Sequence, residues 1–201
     1  ASSSSIYGDS EKLPKKEGEE GKALSPYALS KVMDEEMAHL FARCFGMSII
    51  GLRYFNVYGS RQDPLGDYAA VIPRFFKACL NGERPVIYGD GEQSRDFTFV
   101  GDVVEANLLA LGSLAPDSFE YYNIAGGVPV TIGNLASIIA GLCGRNDIVP
   151  VHEAQRSGDV KHSAADLEKA AKIGFAQKTN LRRGLELSSL YYKSIFKPEE
   201  A

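Results

Sequence analysis

No apolar run in the 201 residues approaches the roughly 20 positions that cross a bilayer, so no membrane helix is expected. Positive charge is in deficit as well. With 22 Lys and Arg against 26 Asp and Glu, the net charge of −4 argues against general nucleic-acid binding. An anionic ligand would therefore need locally placed arginines. Cysteine is sparse: Cys44, Cys79 and Cys143 are odd in number, far apart and without Cys-x-x-Cys spacing. They read as thiols of a reducing compartment, neither disulfides nor zinc ligands. No His/Asp/Glu cluster points to a metal, and His162 reads as a surface residue. No secretory signal is visible, so the expected location is cytoplasmic. Missing too is the usual mark of a dinucleotide site, a glycine-rich strand-to-helix turn with an acidic residue about 20 positions later. The glycines at 18–21, 89–91 and 126–127 have neither the spacing nor the flanks.

What is present suits a globular α/β protein of one large or two small domains, with 44% hydrophobic residues. The serines at 2–5 followed by Ile6-Tyr7-Gly8 read as the carboxyl end of a strand entering a loop, or as a solvated tail. In open α/β sheets the first option is where active-site residues gather. Residues 9–24 lack periodicity and read as a surface loop. Ser25 as N-cap and Pro26 at the first helical position open a helix to about Phe45, with an apolar stripe of Val32, Met37, Leu40 and Phe41 and a stop at Gly46. Residues 48–55 suit a buried parallel strand. A turn-rich loop over 58–70 leads to a helix with Pro73 in its first turn and Gly82 past its end. Gly89-Asp90-Gly91 predicts a tight, hairpin-like turn, Arg95-Asp96-Phe97 the start of a strand, and Asp102 with Glu105 a capping box. A strand over 120–125 precedes a helix capped by Thr131, whose Ile132, Leu135, Ile138, Ile139 and Leu142 form one core stripe. Two short helices, 166–174 and 180–196, complete the chain.

The helix from Pro26 carries Tyr27 and Lys31 four residues apart, on one face. An ammonium beside a phenol favours the phenolate, lowering a pKa that is about 10 when unperturbed. Such a tyrosine can exchange protons with a hydroxyl near neutral pH. By itself Tyr-x-x-x-Lys fits a packed tyrosine and a solvated lysine equally well.

With the serine run ahead of it and Leu52-Arg53-Tyr54-Phe55-Asn56 behind it, the chain resembles the extended short-chain dehydrogenase/reductase superfamily. It is most similar there to NAD-dependent UDP-hexose and UDP-N-acetylhexosamine 4-epimerases, and the likeness runs along nearly all of the chain. The resemblance implies Ser3, Tyr27 and Lys31 as catalytic residues, with Tyr27, Lys31 and Tyr54 against the NAD. It implies Ser4 and Ser5 beside the sugar, Ala70 and Val71 (within Tyr68-Ala-Ala-Val-Ile-Pro73) and Tyr88 in the substrate site, and Asn56 and Arg95 on the diphosphate. In Arg156-Ser157-Gly158-Asp159 it implies a second arginine on the diphosphate and an acid at the ribose hydroxyls. A guanidinium suits phosphate because it is always charged and planar. On the residues alone, Asn56 is equally a turn residue at a strand end, and Arg95 could pair with Asp96 or a surface carboxylate. Ser163, four positions after Asp159, would border the sugar pocket. A small residue there leaves room for a 2-acetamido group, which favours UDP-GlcNAc and UDP-GalNAc, with UDP-Glc and UDP-Gal also conceivable. Dehydratases of this superfamily place an Asp-Glu pair where Ser4 and Ser5 stand, which argues against that reaction. A reductase, or a non-catalytic sugar-nucleotide-binding and dimerising module, are the rival readings.

The fold implied is a Rossmann-like doubly wound sheet lacking its amino-terminal nucleotide-binding half, plus a smaller mixed α/β substrate domain. Residues 1–57 would be the remainder of the first, carrying the Ser and the Tyr-x-x-x-Lys. Residues 58–201 would form mainly the UDP-sugar-binding domain, with strands near 95–100 and 120–125 returning to the first. The chain is thus expected to be the carboxyl-terminal portion of a longer enzyme, inactive alone and with an incomplete NAD site. The expected partners are a UDP-sugar and a second copy, met through a helix pair including 26–45, with no metal, nucleic acid or membrane.

Overall fold

Ser25 and Pro26 open a helix as their chemistry predicts. In the computed structural model, which describes residues 1–65, 70–155 and 160–196, Ser25 Oγ accepts from the Ala28 N–H at 3.1 Å. In chain order the elements are β1 (Ser2–Ser3), a 3-10 turn (Ser4–Tyr7), α1 (Pro26–Phe45), β2 (Ile49–Tyr54), β3 (Val57–Tyr58), α2 (Val71–Asn81), β4 (Val86–Tyr88), β5 (Ser94–Arg95), β6 (Thr98–Phe99), α3 (Val100–Gly112), β7 (Phe119–Ile124), β8 (Val130–Thr131), α4 (Ile132–Leu142), β9 (Val151–Glu153), α5 (Glu168–Ala171) and α6 (Leu181–Phe196). They divide between two units. One comprises Ala1–Val57, Asp96–Pro129 and Ser163–Lys178; the other comprises Tyr58–Arg95, Val130–His162 and Thr179–Ala201.

The first unit is built on a three-stranded parallel sheet of order β1-β2-β7. Ser2 pairs with Arg53 and Ser3 with Tyr54, while Tyr54 is opposite Ile124, so the strands end along one carboxyl edge. Side chains alternate across a strand. Leu52, Tyr122 and Ile124 accordingly pack with Ala106 and Ala110 of α3, Ala170 of α5 and Phe175. Arg53 points the opposite way, to Glu35 of α1. On that side Ile6, Tyr7, Phe55 and Ala125 cluster, with Val32 of α1 against them. Helices cover both faces of a parallel sheet, as in α/β folds.

In the second unit α2, α4 and α6 pack on one another. The ring of Phe76 stacks on Tyr192 with centroids 4.9 Å apart. Ile132, Leu135 and Ile139 are buried as the stripe predicts, and Thr131 Oγ caps α4 by accepting from the Asn134 N–H. The three cysteines are free thiols. No helix among the described residues is long and apolar enough to cross a membrane.

Four local expectations are corrected. Met37, Leu40 and Phe41 of α1 are exposed, and the face turned inward carries Ala28, Glu35 and Ala42 instead. Gly89 (φ 85°) and Gly91 (φ 83°) make a turn but not a hairpin, because β4 pairs in parallel with β9 and β5 antiparallel with β8. Helix α3 begins at Val100 without a side-chain cap, leaving Asp102 in its first turn, where the partial positive charge of the helix start favours a carboxylate. Residues 9–24 do not simply lie on the surface. Lys15 is buried, and its N–H donates to the Ala164 carbonyl at 2.7 Å.

Gly8 ends the 3-10 turn at φ 49°, and a Cβ built there would sit 1.8 Å from the Lys22 carbonyl oxygen. Left-handed backbone and a clash with backbone combine at this position. Gly8→Ala in the full-length protein is expected to lower the unfolding free energy by about 2–3 kcal/mol, read from urea titration.

Candidate active site

Because α1 starts at Pro26, Tyr27 occupies its first turn and Lys31 the next. Lys31 Nζ lies 6.0 Å from the centre of the Tyr27 ring, and Tyr27 is 57% exposed. The ammonium also donates to Asp34 Oδ2 at 2.7 Å and makes a long contact, 3.5 Å, to the Ala1 carbonyl at the foot of β1. The hydrogen bond that Lys31 donates to Asp34 holds it above the ordinary lysine range. At neutral pH a positive charge therefore lies near the phenol, with Asp34 as its partner.

Helix α1 packs against β1 and the 3-10 turn, the segment that carries the serines. Ser3 Oγ folds over the strand tip and accepts from the Ser5 N–H at 3.2 Å. Ser4 is half-buried. Ser5 Oγ is buried with no hydrogen-bond partner among the described residues, an unmet polar group of the kind that a hydroxylated ligand satisfies. Asn56 adopts φ 36°, and its side-chain amide donates to the Asp96 carbonyl at 2.9 Å, so it does serve as a turn residue. Ser163 is half-buried in the same unit. Tyr54 sits beside Ser3 in the sheet, but its hydroxyl donates to Asn107 Oδ1 of α3 at 3.1 Å, on the face away from α1.

In the second unit Ala70 is the N-cap of α2 and Val71 its first residue, with no side-chain cap. The guanidinium of Arg74 lies 5.6 Å from the Tyr88 ring centre. Arg95 Nη1 donates to the Ser94 and Lys161 carbonyls at 2.9 and 3.4 Å. His162 Nδ1 is 3.0 Å from Ser94 Oγ. Arg156 and Asp159 lie outside the described residues. Among the described residues no group of His, Cys, Asp and Glu could hold a metal.

One cluster was not anticipated. Arg53, 2% exposed, donates from Nε to Glu35 Oε1 at 2.8 Å and from Nη2 to Oε2 at 2.6 Å, and it also pairs with Glu20. Its Nη1 reaches the Tyr7 hydroxyl at 3.2 Å, Tyr7 donates to Asn123 Oδ1 at 2.7 Å, and Ser2 Oγ donates to Glu35 Oε1 at 2.6 Å. Burial works against the charge of Arg53, but the bonds to Glu35 and the neighbouring Tyr7 and Glu20 hold it above the usual arginine range. Glu20 is likewise held low against its own burial, by the Gly18 N–H and Arg53. Burial pushes the Tyr7 phenol far up, so it stays neutral. The sequence signal was an arginine inside an otherwise apolar strand, with a glutamate one turn beyond Lys31.

The Tyr27 phenol and the Lys31 ammonium thus lie on a helix that packs against the strand and 3-10 turn bearing Ser3, Ser4 and Ser5. Residues 1–125 match the NAD dependent epimerase/dehydratase family, and the chain belongs to that family.

Among solved structures, it is 42% identical to the UDP-N-acetylglucosamine 4-epimerase of Methanobrevibacter ruminantium M1, in complex with UDP-N-acetylmuramic acid. The TM-score is 0.91, over 96% of this chain and 62% of that one. It is 38% identical to the UDP-glucose 4-epimerase of Thermotoga maritima with UDP-glucose, with TM-score 0.91 over 98% of this chain and 63% of that one. The UDP-glucuronic acid 4-epimerase of Bacillus cereus, in complex with UDP-glucuronic acid and NAD, is 30% identical with TM-score 0.88, over 96% of this chain and 60% of that one. The chain thus spans between 60% and 63% of the length of these relatives. Lys31 and Tyr27 offer an ammonium and an exposed phenol, donors of the kind that fit the hydroxyl-bearing nicotinamide-ribose end of a dinucleotide.

Proposed function

We propose that this chain carries the catalytic pair of a cytoplasmic, NAD-dependent UDP-sugar 4-epimerase acting on UDP-GlcNAc and UDP-GalNAc. The observation that carries the reading is the exposed Tyr27 phenol beside the Lys31 ammonium, on a helix packed against the strand tip that bears Ser3. Tyr27 removes the proton of the sugar 4-hydroxyl, and Lys31 stabilises the phenolate. Ser3 hydrogen-bonds the same oxygen and relays the proton. NAD, when bound, supplies the hydride acceptor that makes a 4-keto sugar accessible. Ser4 and Ser5 line the sugar, and the unmet hydroxyl of Ser5 supports that role. Arg95 and Arg156 balance the charge of the diphosphate with Asn56 as a further donor. Asp159 takes the ribose, and Ala70, Val71 and Tyr88 the rest of the nucleotide. Binding energy spent on this non-reacting part retains the keto sugar while it turns. The exposed Leu29, Met33, Met37 and Phe45 of α1 support its pairing with a second copy.

Incubating the full-length protein and NAD with UDP-GlcNAc, UDP-Glc and UDP-glucuronate, with products read by proton NMR, tests the reading. UDP-GalNAc is the expected product, and no epimer from any of the three would overturn it. Ser163→Tyr fills the space left for the acetamido group. It is expected to lower kcat/KM for UDP-GlcNAc by about 10–100-fold while UDP-Glc stays within a few-fold.

A further inference from the structure

We propose that Arg53 and Glu35 are positioning residues that hold Tyr27 and Ser3 at working distance across the junction of α1 and β1. The inference rests on the epimerase reading. Two members of the network, Ser2 and Glu35, stand close to the proposed catalytic set. Ser2, bonded to Glu35, precedes Ser3 in β1. Arg53 precedes Tyr54 in β2 and is the register partner of Ser2. Glu35 follows Lys31 by four residues, so the two share one side of α1. Ser2 and Arg53, neighbours in the sheet, therefore both bind the one Glu35 carboxylate and tie β1 and β2 to the helix that carries the phenol.

The join is stiff. Two parallel N–H···O bonds to Glu35 fix the angle as well as the distance, which a single ammonium could not do. Tyr7 and Tyr121 enclose the guanidinium, whose carbon is 5.2 and 4.1 Å from their ring centres. Glu20 closes the remaining side from the 9–24 segment. Stability alone does not account for such an arrangement. A well-packed apolar set often replaces a buried ion pair at no loss. What apolar side chains lack is directionality, and the chemistry proposed for Tyr27 is sensitive to about 1 Å of misplacement.

The test uses the full-length protein with NAD and compares wild type with Arg53→Met/Glu35→Leu, which removes both charges and refills the space. Positioning predicts a fall in kcat of about 10²-fold. The KM for the UDP-sugar, and UDP affinity measured by calorimetry without turnover, should stay within about three-fold. The melting temperature should fall less than in Arg53→Met alone, because Glu35 is no longer stranded. If the double variant does not fold, Glu35→Gln keeps the shape and one hydrogen bond. It should then show a smaller fall in kcat, of about five-fold, at unchanged UDP affinity. A folded variant with wild-type kcat overturns the proposal, as does a parallel loss of kcat, KM and UDP affinity, which marks general loosening. A wild-type protein that turns over no UDP-sugar overturns the epimerase reading itself and the inference with it. An active wild type with an unaffected variant removes the inference alone.

Discussion

Tyr27→Phe in the full-length protein is expected to reduce epimerase turnover by about 10³-fold and leave UDP-sugar affinity within about two-fold. The magnitude follows from what a positioned general acid–base contributes, roughly 10²–10⁴ in rate. The substitution deletes one oxygen from a residue that is 57% exposed and whose hydroxyl supports no buried network, so folding should be unaffected. Affinity should survive because the groups proposed to hold the nucleotide, Arg95 and Arg156 above all, are untouched. Steady-state kinetics with UDP-GlcNAc, together with calorimetric titration of UDP, separate the two effects. Turnover within ten-fold of wild type would remove Tyr27 from the chemistry.

The other large effect concerns stability. Arg53→Met alone strands Glu35, 8% exposed, without its bidentate partner, and it leaves Glu20 facing an apolar side chain. Breaking a buried pair from one side costs about 3–5 kcal/mol. The loss should show in urea unfolding of the full-length protein at pH 7. Its pH dependence has a definite sign. In the wild type Glu20 is held below its ordinary value by Gly18 and Arg53 against the opposing effect of burial. Its contribution is therefore fully present above the ordinary carboxylate range and is lost as pH falls through the depressed value. Without Arg53 the Gly18 N–H is left to oppose burial and Glu20 takes up a proton more readily, so lowering the pH from 7 towards 4 should narrow the gap between variant and wild type. A gap that widens on acidification would mean that Arg53 does not stabilise these carboxylates.

Much of the α/β pattern was legible because the signals were local. Ser25-Pro26 set the start of α1, Gly46 its left-handed stop at φ 63°, and Thr131 the cap of α4. The apolar run at 48–55 became the central strand for the same reason: a strand with both faces covered needs no polar alternation. What the sequence concealed depended on partners distant along the chain. Nothing near Gly89 reveals that β4 pairs with β9, some 65 positions away, rather than folding back on itself. The apolar stripe of α1 is legible from periodicity, but the surface it meets is not. The helix instead rests on Ala28, Glu35 and Ala42, and periodicity cannot distinguish a core face from one that awaits another surface. The Tyr27–Lys31 pair could be read from spacing, since four residues along a helix fix proximity. Arg53 was visible only as one element of a motif, and its bond to Glu35 needed the strand and helix to be docked first.

The small residues at the base of α1 have a further consequence. Where Ala28 and Ala42 seat the helix its backbone comes close to the strands, and the Arg53–Glu35 pair is the long side-chain link between them. These contacts set the inward seat of the helix, and its outer surface is left at liberty to vary. The inward seat of this 20-residue segment and its outward face can thus change independently.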